Sequence, residues 1–173
     1  MFIAAMSRFA CGGNCINRER KVEMLKNIPS ILSPELLKSL MEMGHGDEII
    51  IADGNFPAAS IALETISGQL IRFDGHGVPP VLEAILKLFP LDGYADKAVG
   101  LMEVVPGDPV NTPIWDEYRQ IINATEESAK FDDFEYIERF EFYEREKKAY
   151  AVIATSESAQ YANIILKKGC IKS

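Results

Sequence analysis

A chain of 173 residues, 47% hydrophobic and 25% charged, has the composition of one well-packed soluble domain and excludes disorder and collagen-like repeats. At this length roughly 70% of the unfolded surface can be buried, so the core needs neither disulfides nor a structural metal. With 18 basic against 26 acidic residues, the net charge of −8 opposes attraction to phosphate backbones and anionic lipid, which argues against nucleic acid and membranes as partners.

The first 23 residues differ from the rest: Arg8, Arg18, Arg20 and Lys21 against Glu19 and Glu23 leave them at +2, against −10 for residues 24 to 173. They read as an N-terminal extension, a flexible arm or an upstream start, ahead of a single domain from Met24. Arg8 interrupts the apolar opening before it reaches the length of a secretory signal, and no apolar run approaches the roughly 20 residues that span a bilayer. Cys11, Cys15 and Cys170 make an odd count with no framework spacing, which fits a reducing cytoplasm.

Ser33 followed by Pro34 and Glu35 starts a helix, and Leu36, Leu37, Leu40 and Met41 share one face of it. Gly44 is the expected left-handed stop, and Ile49 to Ala52 is the continuous apolar run of a strand buried on both faces. Gly54, Asn55 and Pro57 supply loop chemistry, Leu70 to Phe73 reads as a second strand, and Asp74-Gly75 as a turn. Pro79 and Pro80 introduce a second helix that Pro90 and Asp92-Gly93 terminate. Val99 to Val105 reads as a strand, and Thr112-Pro113 opens a third helix with Trp115, Tyr118, Ile121 and Ile122 as its buried stripe. Within Asp132 to Glu146 we expect an approach strand and then a helix from about Glu141. Tyr150 to Ala154 and Ile164 to Leu166 are the last strands. Helices alternating with short hydrophobic strands imply an α/β fold with a central sheet covered on both faces.

Neither Gly44-His45-Gly46 nor Gly75-His76-Gly77 completes a dinucleotide fingerprint, because Ile49 and Pro80 stand where the third glycine belongs. Walker A, nucleophile-elbow and zinc-protease motifs are absent. His45 stands between two glycines that leave its imidazole open, and imidazole exchanges protons near neutral pH. Asp53 lies just beyond the carboxyl end of the Ile run, so the two side chains are expected to converge on one pocket across that strand. The same pattern also fits an exposed loop histidine and a turn-forming aspartate. His45-x-Asp47 offers two metal ligands and no third, so no metal is expected. Arg139 suits a hydroxylated or anionic ligand, or an ion pair with Glu138 or Glu141. Tyr161-Ala162-Asn163 offers a phenol and an amide to sugar hydroxyls, and His76 reads as a turn residue.

Together, Ser33-Pro-Glu-Leu-Leu37, Met43-Gly-His-Gly-Asp-Glu-Ile-Ile50, Ala52-Asp53, Ile71-Arg-Phe-Asp-Gly75, Arg139-Phe-Glu-Phe-Tyr-Glu-Arg145 and Tyr161-Ala-Asn-Ile-Ile-Leu-Lys-Lys-Gly169 resemble the L-fucose mutarotase and D-ribose pyranase family, from about Met24 onward. The Gly-His-Gly-Asp-Glu string resembles the fucose branch, since the ribose branch typically has Thr where this chain has Gly46. The resemblance implies a three-layer α/β/α domain with a central mixed sheet. It makes His45 the catalytic acid/base and Asp53 and Arg139 sugar ligands, with Tyr161, Ala162 and Asn163 lining the same pocket. It implies no cofactor, a monosaccharide substrate with L-fucose foremost, and a homo-oligomer, in bacteria a decameric ring with pockets near subunit contacts. Asn55 stands where a His often follows the strand-end aspartate of the fucose branch, and residues 1 to 23 have no counterpart. The implied reaction opens a cyclic hemiacetal and closes it on the other face, a proton transfer that needs no metal, nucleotide or covalent nucleophile. The rival readings are pyranose–furanose exchange of D-ribose, a non-catalytic sugar-binding or transport-accessory protein, and a ring-forming scaffold.

Overall fold

A computed structural model of the protein describes residues 25–171, so the expected extension, with Cys11 and Cys15, lies outside the described residues. Ser33 caps the first helix, α1 (Pro34–Glu42), its hydroxyl accepting the Leu36 N–H at 3.2 Å, while Pro34 sits in the first turn, where no N–H is needed. The helix stops at Met43 in an extended conformation, not at a left-handed Gly44: the Asp47 carboxylate takes the Gly44 N–H at 2.6 Å and closes the turn. The left-handed residue is Gly46 (φ 87°), whose N–H donates to the Lys168 carbonyl as the chain enters β1 (Glu48–Ala52).

A short helix, α2 (Ala58–Ala62), forms where the sequence reads as loop, ahead of β2 (Leu70–Phe73). The proline pair lies inside the first turn of α3 (Val78–Leu86), where it breaks no hydrogen bond. Strand β3 (Val99–Met102) is shorter than its apolar run, because Asp108 N–H donates back to the Val105 carbonyl at 3.0 Å around Gly107 (φ 91°) and turns 103–112 into a loop. Helix α4 (Pro113–Asn123) buries Ile114, Tyr118 and Ile122, with Trp115 and Ile121 half-buried beside them. A 3-10 turn (Glu126–Lys130), unmarked in the sequence, leads to β4 (Glu135–Ile137). Helix α5 (Arg139–Glu146) begins two residues before the expected Glu141, since the Glu138 carboxylate caps the Phe140 and Glu141 N–H groups. Strands β5 (Ala151–Thr155) and β6 (Ile164–Lys167) follow.

The six strands form one sheet in the order β2-β5-β1-β6-β3-β4, parallel throughout except for β6, which runs against both of its neighbours. Successive side chains of a strand alternate between faces, so Ile49 and Ile51 of β1 pack under α1, α3 and α4, while Ile50 and Ala52 pack on the α2 and α5 side. The result is the expected three-layer α/β/α architecture around a mixed sheet. Arg145 of α5 ties the second helical layer to the sheet. It holds Glu48 of β1 in a fork at 2.8 and 2.7 Å and Glu135 of β4 at 2.7 Å, with Lys167 of β6 3.2 Å from Glu48.

Candidate active site

Because five strands share one direction, β1, β3 and β4 deliver their carboxyl ends to a single edge of the sheet. The reversed β6 delivers its first residues to that edge, between them. Asp53 follows β1 and Asn163 precedes β6, and the two lock together. The Asp53 N–H donates to the Asn163 side-chain carbonyl at 2.8 Å, the Asn163 amide donates to the Asp53 carboxylate at 3.1 Å, and the Asn55 N–H donates to its other oxygen at 2.9 Å. Both side chains are buried, and burial pushes the Asp53 carboxyl above its ordinary value against the N–H groups that favour its charge.

Helix α4 grips the neighbouring segment. Trp115 Nε1–H donates to the Tyr161 carbonyl at 2.8 Å, and the buried Tyr118 hydroxyl donates to the Ala162 carbonyl at 2.7 Å. Held in this way, Tyr161 adopts a left-handed backbone (φ 55°), uncommon for a residue with a side chain and concentrated at functional sites. Its phenol reaches the 103–112 loop, donating to Asp108 at 2.7 Å and accepting the Val105 N–H at 3.4 Å. Asp108 holds the phenol above the usual tyrosine range. Arg139, at the start of α5, lays its guanidinium over the Tyr143 ring, 5.9 Å from the centroid.

Asp53, Asn55, Arg139, Tyr143, Tyr161 and Asn163 wall one open cavity of about 280 Å³, and Asp108 lines it with them. Ala162, expected to line the same pocket, does not: it is fully buried behind the cavity wall, and its carbonyl accepts the Tyr118 hydroxyl. A larger groove of about 920 Å³ runs between 86–90 and 120–127, away from every site residue read from the sequence.

His45 is not among these residues. It precedes β1 whereas Asp53 follows it, so the expected convergence of the two within one chain does not occur: they stand at opposite ends of the strand. His45 has a different companion. Its Nε2 lies 3.1 Å from Asp92 Oδ1 and its ring meets Tyr94 edge-on, with centroids 5.7 Å apart. Burial alone would raise the Asp92 carboxyl, but the Tyr94 N–H and the His45 ring outweigh it and hold the acid below the usual aspartate range. The Asp92 N–H donates to the Lys167 carbonyl, and Gly169 lets this loop lie on the end of β6, because a Cβ there would run into the Leu91 carbonyl. An ionised Asp92 can only accept, so Nε2 carries the shared proton and Nδ1 faces away from it on a half-exposed ring.

His76 stays in its turn, Nδ1 3.2 Å from the Asp74 carbonyl and the ring against Phe73. Asp92, Asp108 and Tyr143 escape a reading of the sequence. Asp92-Gly93 reads as a helix terminator, Asp108 falls between a strand and a helix with nothing to mark it, Tyr143 is one aromatic among several, and no spacing links 45 to 92 or 108 to 161.

Residues 26–171 match the RbsD / FucU transport protein family. The chain belongs to this family. Human fucose mutarotase is 51% identical over 150 residues, which cover 85% of this chain and 94% of that protein. Among solved structures, FucU from Bifidobacterium longum superposes with a TM-score of 0.79 at 56% identity, over 85% of this chain and all of that one. The fucose mutarotase from Streptococcus pneumoniae, solved in complex with L-fucose, gives 0.74 at 50% identity, over 86% of this chain and all of that one. The RbsD/FucU match begins two residues after Met24 and spans every element described above.

Proposed function

We propose that this chain is an L-fucose mutarotase, an isomerase that interconverts the α and β anomers by opening and closing the sugar ring. One observation carries the reading: the Asp53–Asn163 pair, the Arg139 cation and the Tyr161 phenol meet around one cavity. Two of these groups have their hydrogen-bonding roles set in advance. The Asp53 carboxylate accepts from a sugar hydroxyl, and Tyr161, its own proton committed to Asp108, presents an acceptor lone pair. Arg139 supplies donors to the same cavity. A relative half identical to this chain is described in complex with L-fucose, which supports the same ligand here.

His45 is the proton carrier in this reading. Nδ1 takes the anomeric hydroxyl proton and returns one to the ring oxygen, while Asp92 orients the imidazole and stabilises its charged form. A five-residue strand at roughly 3.3 Å per residue puts about 16 Å between the two ends of β1. A sugar at Asp53 is therefore out of reach of the same chain's His45 and is served by His45 of another copy. The protein accordingly works as a homo-oligomer, for which we adopt the decameric ring, with the carboxyl edge of one sheet facing the amino edge of the next. We place it in the cytoplasm, on the absence of a framework in its odd cysteine count; among the described residues no helix is long and apolar enough to cross a membrane.

Saturation-transfer proton NMR on equilibrated L-fucose tests the activity, with D-ribose alongside. Faster exchange of fucose anomers supports the reading, and a larger effect on ribose moves it to the pyranase, which Asn55 in the cavity wall would then explain. Binding without acceleration makes the protein a sugar carrier. The shared site has its own test. His45→Ala and Asp53→Asn chains, each inactive alone, regain about a quarter of the activity when co-assembled at random in equal amounts, and no recovery refutes a site built from two copies.

A further inference from the structure

Among the described residues, Glu146 alone carries buried side-chain oxygens without a hydrogen-bond partner, and both of its carboxyl oxygens are in that state. It is fully buried, four residues after Phe142 on the inner face of α5, in the layer formed with Ile50, Ala52 and Val152 of the sheet. Charged groups on the surrounding elements are committed elsewhere. Glu48 and Glu135 pair with Arg145, Lys167 with Glu48, Arg72 with Asp74, and Lys147 with Glu144 and Glu64. Glu138 caps α5, Arg139 is exposed with its guanidinium over the Tyr143 ring, Glu141 and Lys148 are exposed, and α2, β3 and β5 contain no charged residue. The charge that acts on Glu146 is that of Asp53, and it is of the same sign.

An ionised carboxylate with no donor or cation from the protein beside it is too costly to bury, so Glu146 stands as the neutral acid. Desolvation first, then Asp53, pushes its carboxyl up to about 9. We propose that Glu146 is a positioning residue for the sugar site, acting through Asp53 and α5. Uncharged, it lets the helix seat against the sheet with Arg139 and Tyr143 over the cavity; charged, it repels Asp53 and lifts that helix away. Sugar binding is therefore shut off in alkaline solution by a group that touches no sugar. This rests on the reading that sugar occupies the Asp53 cavity.

The test is L-fucose affinity of the whole protein by titration calorimetry at about pH 7.5 and about pH 10, where a binding-competent fraction governed by Glu146 gives a loss of about tenfold. Anomer exchange in the free sugar does not disturb this equilibrium readout, and Tyr161 is held above the usual phenol range by Asp108. For Glu146→Gln the ratio between the two pH values stays near one, and Glu146→Met gives the same readout should the amide not fold. A wild-type ratio near one overturns the proposal, as does a tenfold loss retained in the folded variants. Failure of the wild type to bind fucose at the lower pH refutes the sugar site itself, a different result.

Discussion

Replacing Glu146 by Gln separates the energetic cost of the buried acid from everything else in the molecule. An unfolded glutamate releases its proton near 4.5, whereas the folded Glu146 keeps it to about 9. Between these values the folded state binds one more proton than the unfolded state, so stability falls as pH rises, by about 1.4 kcal/mol per pH unit. Three units, from about pH 5 to about pH 8, amount to about 4 kcal/mol from one side chain, a large share of the 5 to 15 kcal/mol that holds a typical domain together. Glutamine is nearly isosteric and cannot ionise; its unpartnered amide is an offset that pH leaves alone. Urea unfolding of the wild type and Glu146→Gln, followed by circular dichroism at fixed protomer concentration, gives the difference at each pH, with other titrating groups cancelling. The variant should gain on the wild type by about 4 kcal/mol across that range. A constant difference would refute the assignment of a neutral buried acid.

Other substitutions follow from the geometry. His45→Ala lowers the NMR exchange rate by about 100-fold or more while fucose still binds, and exchange at the wild-type rate removes His45 from the chemistry. Asp108→Ala removes the acceptor of the Tyr161 proton and weakens fucose binding about fivefold, about 1 kcal/mol. Tyr161→Phe and the double variant lose no more than this if the two act as one unit, which a double-mutant cycle by calorimetry decides. Arg145→Met leaves the half-buried Glu48 with Lys167 as its remaining cation and strips Glu135 of the Arg145 guanidinium, which costs about 2 kcal/mol in urea unfolding. Burial raises the Glu48 carboxyl but Arg145 and Lys167 outweigh it and depress it, so this ion pair's contribution is present above about pH 4.5 and vanishes as pH falls below it. Acid should therefore narrow the gap between this variant and the wild type.

Signals that act over a few residues were the legible ones. The Ser33-Pro34 start, the Ile49 to Ala52 run, the Leu70 to Phe73 strand and the proline-led α3 and α4 all sit where the sequence placed them, since caps, prolines and buried apolar runs act locally. Helix α2 depends on what packs above it, β3 is cut short by the turn at Gly107 that its apolar run masks, and Glu138 as a cap is one acidic residue among many in its segment. Asp53, Arg139, Tyr161 and Asn163 were readable through their motifs, and the cavity joins them. The separation of His45 from Asp53 was not readable from adjacency along the chain: eight residues look close in sequence, but a strand lays them end to end. Asp92 and Asp108 were hidden for the opposite reason, since their partners lie 47 and 53 positions away.

The reversed strand that carries Asn163 to Asp53 also sets the order in which the chain can fold. β6 lies between β1 and β3, near the middle of the sheet, yet it comes last among the strands. Until residues 164–167 have been synthesised, the growing chain can assemble only β2-β5-β1 on one side and β3-β4 on the other, with β1 and β3 each presenting an unpaired hydrophobic edge. Such edges recruit other chains. The nascent protein thus passes through a stage in which its two half-sheets need shielding, and closure of the sheet and completion of the Asp53–Asn163 pair are one event.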